Sequence, residues 1–125
     1  MSTILWQRIE GALVLGAVLI ILVSIDAATM FGPLWAMALL FFAPDLAFAG
    51  YLAGPRLGAA AYNLVHLYGF GLVVVGLGFV VGPNLDLVVL GLLWTAHAGF
   101  DRMLGYGLKE PTGFADTHLG RIGKR

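Results

Sequence analysis

ILWQRIEGALVLGAVLIILVSI, residues 4–25, decides which solvent this chain folds in, because its only ionisable side chains are Arg8 and Glu10 and residues 11–25 carry none. A helix crosses the hydrocarbon core of a bilayer with about 20 mostly apolar residues, and this stretch supplies them. Three stretches of the same character follow at residues 33–52, 57–81 and 85–104, and the separators at 26–32, 54–56 and 82–84 each hold a Gly or Pro where a helix would stop. The pattern predicts an all-α fold. Residues 1–106 form a four-helix transmembrane bundle of antiparallel up-down topology, and residues 107–125 form a tail on the cytoplasmic side.

Composition points the same way. Of 125 residues, 60% are hydrophobic and 11% charged, whereas a soluble domain keeps roughly a quarter of its residues charged. The implied partner is the lipid bilayer. A formal charge of zero leaves no basic footprint, so no nucleic acid is expected. The absence of cysteine removes disulfides, thiolate metal sites and thioether or thioester lipid anchors together.

Orientation follows from the positive residues, which are retained in the cytoplasm. Arg8, Arg56, Arg102, Lys109, Arg121, Lys124 and Arg125 all flank the same side, and the loops at 26–32 and 82–84 contain neither Lys nor Arg. Both termini are therefore expected in the cytoplasm, with the chain multi-pass in the inner (plasma) membrane. A cleaved leader is a poorer reading of residues 4–25, since Glu10 is unusual in a leader and Ile25 and Asp26 precede the small pair Ala27 and Ala28.

In lipid, close backbone approach between small residues drives helix packing. Gly50, Gly54 and Gly58 fall at small-xxx-small spacing, and Gly69, Gly71, Gly76 and Gly78 lie in the third span. These predict that the third span is the central, tightly packed helix, and the glycine-rich faces offer a homodimer surface.

Ionisable groups inside a span cost a few kcal/mol each, so their positions carry information. At a rise of about 1.5 Å per residue, Asp45, His66 and His97 lie about 12 Å in from the cytoplasmic edge, Asn63 and Glu10 about 9 Å, and Asp101 about 5 Å. One layer gathers them. His97 and Asp101 are four residues apart and share a helix face, as do Tyr62, Asn63 and His66 within one turn. Pro44 removes a backbone donor just before Asp45 and exposes a carbonyl near the layer. The tail's Phe114, Leu119 and Ile122 could pack on the cytoplasmic end and bring Asp116 and His118 to its mouth.

The candidate polar site is thus Asp45, Asn63, His66, His97, Asp101, Asp116 and His118. Imidazoles and carboxylates are the ligand set for Zn²⁺, Mn²⁺ or Fe²⁺, and Asp45, His66, His97 and Asp101 are the metal-ligand candidates, with a bound ion activating water. Two other readings stay open. The same residues could neutralise one another, His97 with Asp101, His66 with Asn63 and Tyr62, and Asp45 with Arg56 or Arg102, as a layer that only specifies packing in a scaffold protein. Alternatively, a carboxylate such as Glu10 or Asp45 could titrate in a small proton-coupled transporter.

Two segments carry a resemblance: residues 43–56, APDLAFAGYLAGPR, with YNLVH at 62–66, and residues 97–109, HAGFDRMLGYGLK, with PTGFADTHLG at 111–120. They resemble domain-of-unknown-function family 4260, small bacterial membrane proteins, across nearly the whole chain. The resemblance implies an inner-membrane helical protein and transfers no catalytic role. A fainter likeness is to membrane-bound metal-dependent hydrolases, which also pair a Pro-Asp turn with spaced His and Asp. Here Pro44-Asp45-Leu46-Ala47 lacks the second acid of that turn.

Overall fold

The computed structural model describes residues 1–123; Lys124 and Arg125, counted above among the positive flanks, lie outside the described residues. Helices α1 (Thr3–Ser24), α2 (Ala27–Met30), α3 (Leu34–Phe41), α4 (Pro55–Val65), α5 (Tyr68–Val80) and α6 (Leu85–Leu104) make up most of the chain, with a 3₁₀ helix, Ala43–Ala53, between α3 and α4. Among the described residues the tail holds no helix. It turns back through a two-stranded antiparallel ladder, β1 (Asp116–Thr117) with β2 (Gly120–Arg121). Thr3–Ser24, Leu34–Ala53 and Leu85–Leu104 are each long and apolar enough to cross a membrane, and α4 with α5 makes a fourth crossing if the 50° bend between them is one broken span.

Two elements depart from the straight helices that the sequence predicts. The second span changes from α to 3₁₀ geometry at Pro44, and the cause is the donor that proline lacks. In an α-helix the Leu40 carbonyl would accept from residue 44; here it accepts instead from the indole N–H of Trp94 at 3.1 Å. Trp94 thus replaces a backbone bond. Replacing Trp94 with Phe keeps the ring's bulk and strands that carbonyl, so we expect a loss of about 1 kcal/mol in detergent unfolding. An unchanged midpoint would show that the carbonyl is satisfied otherwise.

The 3₁₀ repeat of three residues per turn has a second effect. Asp45, Phe48 and Tyr51 fall on one line, whereas an α-helix would rotate each successive member away from it. Gly54 ends the segment at φ 105°, a conformation that side chains with a Cβ rarely adopt, and α4 starts directly after it.

The other departure is in the third span. Residues 57–81 do not form one helix: α4 stops at Val65, and Leu67 is extended at φ −77° and ψ 136° before α5 begins. His66 sits at the break.

The central helix is α6, not the third span. Of its apolar window 56% is buried, against 11% for α1 and 6% for Leu34–Ala53. Small residues on two faces of α6 explain this. On one face Gly99 meets α1: a Cβ on Gly11 would lie 2.7 Å from the Gly99 carbonyl oxygen. On the other, a Cβ on Gly91 would lie 2.5 Å from the carbonyl oxygen of Gly71 in α5. The remaining glycines of the third span divide. Gly78 packs against Val88 and Asn84, while Gly69 and Gly76, like Gly16 of α1, face open space.

Val18, Leu22, Ala27, Met37, Val89, Leu92, Leu93 and Ala96 form the apolar core. Large apolar side chains also point outward along the helices, among them Leu13, Ile20, Val23, Leu39, Phe79 and Val80. In water such a surface would drive association; in lipid it is the solvated face.

Candidate metal centre

Three elements bring the ligand candidates together just beyond the apolar core. Asp45 leads the aligned face of the 3₁₀ helix, His66 terminates α4, and His97 and Asp101 project from one face of α6. The two imidazole Nε2 atoms are 3.1 Å apart. Asp45 Oδ1 is 3.4 Å from both, and Asp101 Oδ2 is 3.6 Å from that of His66 and 3.8 Å from that of His97. All four atoms lie within 4.8 Å of one another. A tetrahedral ion bonded at 2.0–2.1 Å sets its ligand atoms about 3.4 Å apart, so the cluster has the dimensions of a coordination shell.

The orientation of each group has a local cause. Because a carbonyl only accepts, the 2.8 Å contact between His66 Nδ1 and the Tyr62 oxygen puts the ring proton on Nδ1 and leaves the Nε2 lone pair facing the cluster. That carbonyl belongs to the last turn of α4, where the break after His66 lets the imidazole stack back on the Tyr62 ring at 3.6 Å between centroids. The Tyr62 hydroxyl in turn donates to Asp101 Oδ2 at 2.8 Å. Tyr62 therefore positions two of the four groups at once. His97 is held by the edges and faces of Phe41 and Phe42, and its Nδ1 has no hydrogen-bond partner among the described residues.

The other residues singled out in the sequence go elsewhere. Asn63 does not reach His66: its amide accepts from the Lys109 backbone N–H at 2.6 Å and donates to the Lys109 carbonyl at 2.9 Å, clamping the tail onto α4. Asp116 pairs with Arg121 at 3.0 Å and accepts from Thr112. His118 accepts from the Leu108 N–H and donates to Gln7, both at 2.9 Å. Asp45 pairs with the histidines and with neither Arg56 nor Arg102; Arg102 donates to the Tyr106 carbonyl. Glu10 is exposed and forms no ion pair among the described residues.

The tail's docking should depend on pH through His118. Burial, with Arg102 adding to it, holds the pKa of His118 below the ordinary imidazole value, so the undocked tail binds the proton better. Docking is then complete above about pH 6.5 and weakens as pH falls below it. Amide-exchange protection of residues 107–123, normalised to intrinsic rates, should drop between pH 7.5 and 5.5. A His118→Gln variant that shows the same drop would assign it to another group.

Between the cluster and the tail lies a cavity of about 350 Å³, lined by Asp45, Tyr62, Asp101 and Lys109 and by Phe48, Phe114 and Ile122. Lys109 and Phe48 had no local signal in the sequence, whereas Phe114 and Ile122 of the tail pack at the mouth of the site as expected. Lys109 reads in the sequence only as one more positive flank, and its position depends on the tail returning across 46 residues to Asn63.

No protein of curated function and no solved structure matches the chain. Residues 4–122 match the family described as Domain of unknown function (DUF4260), and the chain belongs to it.

Proposed function

We propose that this is a four-span membrane protein with both ends in the cytoplasm, whose Asp45, His66, His97 and Asp101 bind one divalent ion of the Zn²⁺, Mn²⁺ or Fe²⁺ class as a hydrolytic centre open to the cytoplasmic side. The observation that carries it is the clustering of both Nε2 atoms and two carboxylate oxygens, with each imidazole nitrogen 3.1–3.8 Å from the other and from both carboxylates and all four atoms within 4.8 Å of one another. Two carboxylates so close in a low-dielectric interior repel strongly unless a cation compensates them, and a divalent ion balances their charge. Asp45, the most exposed of the four at 35% of its side chain, borders the cavity, so a coordination position on that side would hold the water that the ion activates. An amphiphilic substrate suits a cavity at this depth with aromatic walls.

Orientation has its own support. Arg8 donates to the Met103 carbonyl at 3.0 Å and Gln7 meets His118, so the start of α1, the end of α6 and the tail share one end, where the positive residues collect.

One observation favours a purely structural layer. A 3.1 Å separation also fits a hydrogen bond from a protonated Nε2 of His97 to the lone pair of His66. Metal analysis of the detergent-purified chain separates the readings: the hydrolytic reading expects about one equivalent of a transition ion after reconstitution, and less than about 0.1 equivalent rejects it. Proton flux in proteoliposomes that Asp45→Asn abolishes, in a chain holding no ion, would instead make it a proton-coupled carrier.

A further inference from the structure

Lys109 is only 4% exposed, yet no carboxylate pairs with it among the described residues. Its Nζ lies 4.1 Å from the centre of the Phe114 ring and 5.1 Å from that of Tyr62, and the residue borders the cavity next to Asp45 and Asp101. Burial pulls its pKa down, while the charges of Asp101 and Asp45 oppose that. Ring faces compensate a desolvated ammonium only in part, and a buried cation ordinarily has an anionic partner. The main chain cannot carry the amine back to water, because Asn63 holds the N–H and the carbonyl of this same residue.

We infer that Lys109 and the ion at Asp45, His66, His97 and Asp101 jointly receive a phosphoryl oxyanion, so that the substrates of this centre are phosphate esters. The inference rests on the metal reading above. With a divalent ion, the two aspartates and Lys109, the site holds a net single positive charge, which an oxyanion completes. A tetrahedral phosphoryl group can direct one oxygen at the ion and another at the ammonium, whereas a carboxylate has only two coplanar oxygens, and lysine is a common point-charge partner for phosphate. Phe48, Phe114 and Ile122 on the remaining wall accommodate the apolar part of an ester. The same phosphoryl chemistry could come from free phosphate or from a lipid headgroup.

The full chain in detergent, loaded with Zn²⁺ or Mn²⁺ and assayed first for metal content, is titrated with orthophosphate, with dioctanoyl phosphatidic acid and with acetate. Lys109→Met should leave the metal content unchanged and weaken orthophosphate at least about tenfold, and Lys109→Arg should stay within about threefold of the parent. Phosphatidate binding about tenfold tighter than orthophosphate, with the same dependence on Lys109, assigns the group to a lipid headgroup; equal affinities assign it to free phosphate. Orthophosphate affinity unchanged in Lys109→Met, no phosphate binding by the metal-loaded chain, or acetate binding as tightly as phosphate would each overturn the inference with the metal centre intact. A chain that takes up no ion removes the centre itself, and the metal assay reports that separately.

Discussion

His97→Gln and Asp45→Asn are each expected to weaken metal affinity by more than about 100-fold, and Tyr62→Phe by about 10- to 100-fold. The grading is what identifies a coordination shell. Glutamine and asparagine keep side chains close in size to those they replace but present poorer donor atoms to the ion. Tyr62→Phe leaves all four ligand atoms and removes only the hydroxyl that holds Asp101 Oδ2 at 2.8 Å. Stability should move with the ion as well: at a hundredfold excess over Kd, binding adds about 2.7 kcal/mol to the folded state. A layer that only sets packing makes the opposite set of statements. In that case all three substitutions would change the unfolding midpoint whether or not metal is present, and added Zn²⁺ or Mn²⁺ would shift nothing. Equilibrium dialysis and thermal unfolding of the three variants, with and without ion, decide between them.

Gly99→Val and Gly91→Val are expected to cost about 3 kcal/mol or more, the upper end of what overpacking produces. The reason is that the obstacles are backbone atoms. A Cβ on Gly99 would stand 2.8 Å from the Gly11 carbonyl oxygen and 3.0 Å from the Leu15 nitrogen, and one on Gly91 would stand 2.5 Å from the Gly71 oxygen and 2.6 Å from the Val75 nitrogen. No rotamer change relieves such contacts; α1 or α5 has to move away from α6 as a unit. Gly76→Ala is the control, since nothing lies within 4 Å of its added Cβ, and alanine favours the helix by up to about 1 kcal/mol. Steric-trap or detergent unfolding that finds Gly76→Ala as damaging as Gly99→Val would mean that α6 is not the hub. Gly99 is two residues from His97, so the same substitution should also lower metal uptake.

How much of the site was readable varies residue by residue. His97 and Asp101 are legible as a pair because a helix places residues four apart on one face, and that relation is local. His66 is legible as a member of the layer, but its partner is not: the Asn63 side chain is three residues away and yet turns to the tail, while the Tyr62 carbonyl accepts both the His66 backbone N–H and its ring Nδ1–H at a helix break that no Gly or Pro marks. Asp116 and His118 read as equal candidates by residue type. The turn-back of the tail gives them Arg121, Thr112, Leu108 and Gln7 as partners instead.

The sequence by itself determined where the apolar segments fall and which Gly and Pro separate them, because those follow from residue type; the break at His66 that divides residues 57–81 carries no such mark. Tertiary structure alone decided that α6 is the hub, that Pro44 leads into a 3₁₀ helix sustained by Trp94, and that Lys109 borders the cavity. Each of these depends on a contact between residues dozens of positions apart, where the gain from close backbone approach or from a replaced hydrogen bond outweighs what neighbouring residues prefer.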